Sequence, residues 1–222
     1  MQSVRRYLAI GFDMDGTLLR TDIDYPRLRQ AVHDILADTG VPESELEGSG
    51  SVTFMGLDYL YRNKRFTDIQ KAQERIRTAT AYVEVENAST ARLYDGGREM
   101  LEYLKNKGYK IGVLTRGSRR YAVAALTAAS ALQYIDVLSC RDDHDELEAK
   151  PSPKAMEYFA EDLGVMPKDI LYLGDHAGDH QCARDSGAGF IGVLTRYSED
   201  EWMGIDEKIR TIGTVADLIK IL

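Results

Sequence analysis

Tyr7-Leu8-Ala9-Ile10-Gly11-Phe12-Asp13-Met14-Asp15-Gly16-Thr17 begins apolar and breaks abruptly into two carboxylates and a glycine. A short apolar run ended by turn residues reads as a strand buried on both faces. Four more runs of this kind follow: Ile111–Leu114, Tyr134–Leu138, Ile170–Leu173 and Phe190–Leu194. Helical segments separate them. Arg98 to Lys107 stops at Gly108, Ser118 to Ala129 is alanine-rich, and Ser152-Pro153 offers an N-cap followed by proline in the first turn. Strand and helix in alternation predict an α/β fold, a parallel sheet covered on both faces.

From Phe12 to Ile111 the chain runs far longer than a crossover needs. The expectation is an all-helical insertion, residues 21–91, in an α/β core made of residues 1–20 and 92–222. Its first helix starts near Pro26 after Asp24, with Leu28, Ala31, Val32, Ile35 and Leu36 on one face and Gly40 as its stop. A later helix is expected to open on a capping box at Thr67-Asp68-Ile69-Gln70. Gly48-Ser49-Gly50-Ser51 lacks the third glycine and the preceding strand of a dinucleotide fingerprint, so it reads as a loop.

Ligands of open parallel sheets bind beyond the carboxyl ends of the strands. Three polar loops meet there: Asp13–Thr17, Thr115-Arg116-Gly117-Ser118, and Gly174-Asp175-His176-Ala177-Gly178-Asp179. A fourth, Ser139 to Lys150, closes with Lys150-Pro151-Ser152-Pro153. If Asp13, Asp15, Asp175 and Asp179 converge beside Lys150, the site carries about −3, and like charges about 4 Å apart cost on the order of 4 kcal/mol at an effective dielectric near 20. A divalent cation relieves this. Oxygen donors without a His/Cys set point to Mg²⁺, which leaves about −1 and admits a phosphate.

In that setting Asp13 is the expected nucleophile at phosphorus and Asp15 the general acid and base facing the leaving group. Thr115, Lys150 and the backbone N–H groups of Arg116 and Gly117 are the expected phosphate donors. Asp179 has two readings, site residue or helix cap.

Asp13-Met14-Asp15-Gly16-Thr17-Leu18 resembles the DxDGT signature of the haloacid dehalogenase-like hydrolases, most of which are magnesium-dependent phosphatases. Thr115, Lys150 and Gly174-Asp175-x-x-x-Asp179 follow in that family's order. The insertion lies between the first two motifs, as in members similar to phosphoglycolate phosphatases and β-phosphoglucomutases. The resemblance implies a Rossmann-like core with a helical cap. It also implies Asp13 as nucleophile and metal ligand, Asp15 as acid and base whose carbonyl binds metal, and Asp175 as a further ligand. Asp179 either reaches the metal or positions its neighbours. Arg116 stands where many relatives carry asparagine, and His176 where a small residue is common, so substrate choice is where this chain departs.

Other readings narrow the function. With 28 Lys and Arg against 36 Asp and Glu, a net charge of −8 argues against nucleic acid or an anionic membrane as the main partner. No apolar stretch approaches a bilayer span, and the expected location is cytoplasmic. Cys140 and Cys182 read as reduced thiols. His176, His180 and Cys182 lack the glutamate of a zinc HExxH motif, and no P-loop occurs. Among the basic residues of the insertion, Arg62, Lys64 and Arg65 are candidates for holding the non-phosphate end of the substrate, with Arg27 and Arg29 as rivals. The expected enzyme is a Mg²⁺-dependent phosphatase of a small-molecule phosphate ester, a monomer or homodimer. The alternatives are a sugar-phosphate mutase, a phosphonate hydrolase using Lys64, and a non-catalytic phosphate-binding protein.

Overall fold

The computed structural model describes residues 7–47 and 52–222, so the Gly48–Ser51 loop expectation lies outside the described residues. Strand β1 (Ala9–Phe12) is buried along its whole length, and after a turn the chain forms the short β2 (Leu19–Arg20). Helices α1 (Tyr25–Asp38), α2 (Glu43–Leu46), α3 (Val52–Arg62) and α4 (Phe66–Glu86) follow, and β3 (Arg92–Leu93) returns antiparallel to β2. The two crossings of the chain are thus joined by a two-stranded ribbon. The remaining elements alternate: α5 (Gly97–Asn106), β4 (Lys110–Leu114), α6 (Arg119–Ala128), β5 (Val137–Ser139), α7 (Pro153–Leu163), β6 (Ile170–Gly174), α8 (Ala177–Ser186), β7 (Gly189–Val193), α9 (Glu199–Ile205) and β8 (Arg210–Ile212).

The large sheet has the order β5-β4-β1-β6-β7-β8 with every pairing parallel, a Rossmann-like α/β fold. From β1 the chain winds to β4 and β5 on one side, then crosses to β6, β7 and β8 on the other. The direction of winding reverses beside β1, which opens a crevice beyond its carboxyl end. One face packs Ile10, Phe12, Ile111 and Val113 against Met100, Leu104, Tyr121 and Leu126; the other packs Ala9, Ile170 and Tyr172 against Met156, Phe159 and Cys182. Phe159 lies so close to β4 that a Cβ on Gly112 would overlap its ring, which is why glycine interrupts that apolar run. A third buried cluster, including Val32, Leu36, Leu57, Leu60, Ala72 and Ile76, is built from the inserted segment, with Leu147 of the α/β core packed against it.

Two local expectations change, and one strand escaped the sequence reading. Residues 132–134 form a 3-10 turn, and the strand expected at Tyr134–Leu138 starts only at Val137, because Asp136 exchanges its N–H and carboxylate with the backbone of Ile111 ahead of the pairing. The capping box at Thr67–Gln70 does not form: α4 begins two residues earlier, with Arg65 rather than Thr67 at the N-cap, and Asp68 takes the Arg65 guanidinium instead. β8, half-exposed at the sheet edge, is too short and polar to stand out as an apolar run. Cys140 and Cys182 are buried and unbridged. Among the described residues, no helix is long and apolar enough to cross a membrane.

Candidate active site

β1 delivers Asp13 to the crevice. The Asp13 N–H continues the ladder to the Leu173 carbonyl at 2.8 Å, so the residue is held as an extension of the strand and is 8% exposed. Gly16 then turns the chain at φ 78°, where a Cβ would overlap the Asp175 carboxylate; only glycine fits that approach without strain. β6 ends one residue before Asp175, and the first turn of α8 presents Asp179.

These acids meet. Oxygens of Asp13, Asp175 and Asp179 lie within 4.8 Å of one another, the one such group of three or more metal-ligating side chains among the described residues. All three side chains are buried. The Lys150 ammonium stands against them, donating to Asp13 Oδ1 at 2.6 Å, Asp179 Oδ1 at 2.7 Å and the Tyr172 hydroxyl at 2.8 Å. That uses all three donors of a lysine. Tyr172 passes its own proton to the Leu114 carbonyl at 2.8 Å, which locks the lysine between β4 and β6.

Electrostatics follow from this crowding. Burial raises the Asp13 carboxyl well above its ordinary range; Lys150 opposes this, and Asp179, Asp175 and Asp15 add to it. Burial, then Asp179, pushes Asp175 up to about 6. For Lys150, burial lowers the value, but the Asp13 and Asp179 carboxylates more than compensate, so it is raised and stays charged. An oxygen-only set of acids that resists its own ionisation suits a hard divalent cation.

Asp15 behaves differently. Its Oδ1 accepts from Thr21 at 2.8 Å and from Tyr121 at 2.5 Å, and its carboxylate is not one of the three whose oxygens converge. Burial raises this carboxyl too, against the hydrogen bonds from Tyr121 and Thr21. Burial and the neighbouring Asp15 keep Tyr121 protonated and therefore a donor.

Asp179 joins the acid cluster and also caps a helix. Oδ1 takes Lys150, and Oδ2 accepts the His176 N–H at 3.1 Å as half of the α8 capping box. His176 completes that box: its Nδ1 accepts from Gly178 at 3.0 Å, so the side chain serves as a cap. His180 faces Asp206 at 3.6 Å, and Cys182 Sγ donates to the Ser152 carbonyl at 3.1 Å, so the two histidines and the thiol have separate partners.

Thr115 is buried beyond β4, with its N–H on the Ser139 carbonyl at 2.9 Å. The Gly117 N–H, expected to face the ligand, turns inward onto Thr115 Oγ1 at 3.0 Å, because the turn closes on its own hydroxyl. Thr115 then has its hydroxyl proton to offer outward. Arg116 lines a cavity of about 320 Å³ together with Lys150, Arg141 and, from α3, Thr53, Phe54 and Leu57.

The expected specificity residues lie away from that lining. Arg62 pairs with Asp58 and Glu45, and Arg65 is bound to Asp68 and to the carbonyls of Thr39 and Gly40. Lys64 is exposed in the turn after α3. None of the three lines the cavity; the beginning of α3 does, and the basic residues lie at and beyond its far end. Arg27 pairs with Glu86 on an exposed face. Tyr121, Tyr172 and Thr21 were missed by sequence reasoning, and the one available signal was a tyrosine inside each of two apolar segments.

The family model of the haloacid dehalogenase-like hydrolases matches residues 10–193. A phosphoglycolate phosphatase of Mannheimia succiniciproducens is 30% identical, with 98% of this chain and 99% of that protein covered. An N-acetylmuramic acid 6-phosphate phosphatase of Pseudomonas aeruginosa is 27% identical over 88% of this chain and 85% of its own length. Among solved structures, a HAD-family hydrolase of Deinococcus radiodurans superposes with a TM-score of 0.61 at 18% identity, covering 96% of this chain and 94% of that one. With its motifs in order on the matching fold, the chain belongs to the haloacid dehalogenase-like hydrolases, as a phosphoric monoester hydrolase similar to the phosphoglycolate phosphatases.

Proposed function

We propose that the chain is a Mg²⁺-dependent phosphatase that hydrolyses a small-molecule phosphomonoester through an aspartyl-phosphate on Asp13. The observation that carries this is the convergence of Asp13, Asp175 and Asp179 on one buried point beside Lys150. Asp13, Asp175 and the Asp15 carbonyl would hold the ion. Bound there, Mg²⁺ supplies the charge that keeps these acids ionised and draws in a phosphoryl oxygen.

Asp13 attacks phosphorus with a carboxylate oxygen while Lys150 fixes its Oδ1; the bond from phosphorus to the ester oxygen breaks. Asp15 gives the departing alkoxide its proton. Thr21 and Tyr121 both donate to Oδ1 of Asp15, so Oδ2 is the oxygen left to carry that proton. In the second half, Asp15 takes a proton from water as the water oxygen bonds to phosphorus and the Asp13–phosphorus bond breaks. Thr115 and the ammonium of Lys150 offset the charge gathering on the phosphoryl oxygens.

Residues 21–91 are proposed to act as a lid, and the apolar and cationic lining of the cavity suits a compact leaving group. The relatives named above act on two different phosphate esters, and the proposal stops at the class. The test is an aryl phosphate assay with Mg²⁺, with EDTA, and with Asp13→Asn. Phosphate release that needs the metal and collapses in the variant supports the reading; undiminished turnover in either condition refutes it.

A further inference from the structure

Glu84 is a carboxylate in the last turns of α4, 2% exposed and bonded to two segments of the α/β core. Its Oε2 accepts the Ser118 N–H at 3.0 Å, and its Oε1 accepts Arg141 NH1 at 2.9 Å. One turn earlier, Thr80, also buried, accepts Arg141 NH2 at 2.8 Å. The Arg141 backbone N–H in turn donates to the Gly117 carbonyl at 3.2 Å. With the Gly117 N–H on Thr115 Oγ1, two successive peptides of the Thr115–Ser118 loop are held: the 116–117 peptide by the loop's threonine, and the 117–118 peptide from both sides, its carbonyl by Arg141 and its N–H by Glu84.

A buried ion pair is a costly way to gain stability, since apolar side chains of the same volume do as well or better. What it provides is direction. The guanidinium is a planar fork, and Glu84 and Thr80 hold its terminal nitrogens from the inserted helices. The Ser118 N–H it shares a carboxylate with is an open donor at the start of α6 that would otherwise need water.

Resting on the phosphatase reading above, we propose that Glu84 is a positioning residue for the phosphate-binding loop, acting through Ser118 and Arg141 to hold Thr115 and Arg116 over Asp13. Because Glu84 belongs to the inserted helices, the loop takes its working shape only when those helices are docked. Phosphate binding and lid position are thereby linked through one carboxylate.

The test compares wild type, Glu84→Gln and the double variant Glu84→Leu with Arg141→Met. For each, calorimetry gives the affinity for inorganic phosphate with Mg²⁺ present and for Mg²⁺ alone, aryl phosphate turnover gives kcat and KM, and melting gives stability. In Glu84→Gln, phosphate affinity falls and KM rises on the order of tenfold, the worth of one charge-assisted hydrogen bond. Mg²⁺ affinity stays within about twofold, since the acids on β1 and β6 are untouched. The double variant regains stability through apolar packing but not phosphate affinity. The proposal is overturned if a folded Glu84→Gln binds phosphate within about twofold of wild type, or if the double variant recovers phosphate affinity along with stability. A wild type that neither releases phosphate from the ester nor binds Mg²⁺ overturns the phosphatase reading instead, and this proposal with it.

Discussion

Replacing Lys150 with methionine keeps most of the side-chain volume and removes the positive charge that touches Asp13 and Asp179 together. In the native chain the ammonium lies 2.6 Å from one carboxylate and 2.7 Å from the other, with 3% of its side chain exposed. Breaking such a buried pair from one side costs about 3–5 kcal/mol, because the partner charges stay behind. For a chain of this size each kcal/mol moves the melting temperature by about 2–4 °C, so a drop of roughly 6–20 °C is expected at about pH 7.5.

The pH dependence gives the stricter test. Asp13 is already raised by burial, and losing Lys150 raises it further. A raised carboxyl contributes stability that is present below its unfolded value and lost as pH rises through its folded value. The variant therefore approaches wild type toward about pH 4, where the raised Asp13 carboxyl is protonated, and falls away as the solution becomes neutral. Thermal melting followed by circular dichroism between these limits measures the gap. Added Mg²⁺ should narrow it by restoring positive charge. A gap of constant size at every pH, or none, would show that Lys150 does not neutralise these acids.

Asp175 is pushed up to about 6 and Asp13 is raised as well, so Mg²⁺ must displace protons from this site in acid; its affinity should fall by about tenfold or more per pH unit below about pH 6, and a flat calorimetric titration contradicts this. The metal-free chain shows the other side of the same linkage: the stability from proton binding at Asp175 is full below about pH 4 and is lost as pH rises through about 6, seen as a falling melting temperature. Tyr121→Phe removes one of two donors to Asp15 Oδ1 and should lower kcat about tenfold while leaving inorganic phosphate affinity unchanged; equal loss in both means the tyrosine only packs. Gly16→Ala forces a side chain into a left-handed turn and onto Asp175, so it should cost about 1–3 kcal/mol by melting and weaken Mg²⁺ binding at the same time.

The core site was legible because its chemistry is written in short range. Asp13, Thr115 and Asp175 each follow directly on a buried strand, and parallel pairing brings the ends of adjacent strands to one rim without help from side chains. Gly16 was legible for the same reason: the turn is local, and the glycine states its backbone requirement. Lys150 follows no strand directly, yet it announced itself by its place ahead of Pro151-Ser152-Pro153 at the start of α7.

The inserted helices show where this reasoning runs out, and why. A cation's role depends on what faces it, and the faces of packed helices are set by contacts between residues far apart in the chain. Arg62, Lys64 and Arg65 formed the densest basic patch, but acids one turn away or on a neighbouring helix take up Arg62 and Arg65, and Lys64 points to solvent. Glu84 presented the opposite case. In sequence it is one acid among the polar residues of a long helix, with nothing to separate it from Glu86 two positions on. Glu86 lies on an exposed face with Arg27, while Glu84 is buried against Ser118 and Arg141, 34 and 57 residues away. Density of charge marked residues that nearby acids, backbone carbonyls or solvent already satisfy. The residue joining the inserted helices to the phosphate loop carries a single charge, and it becomes visible only when three distant segments are brought together.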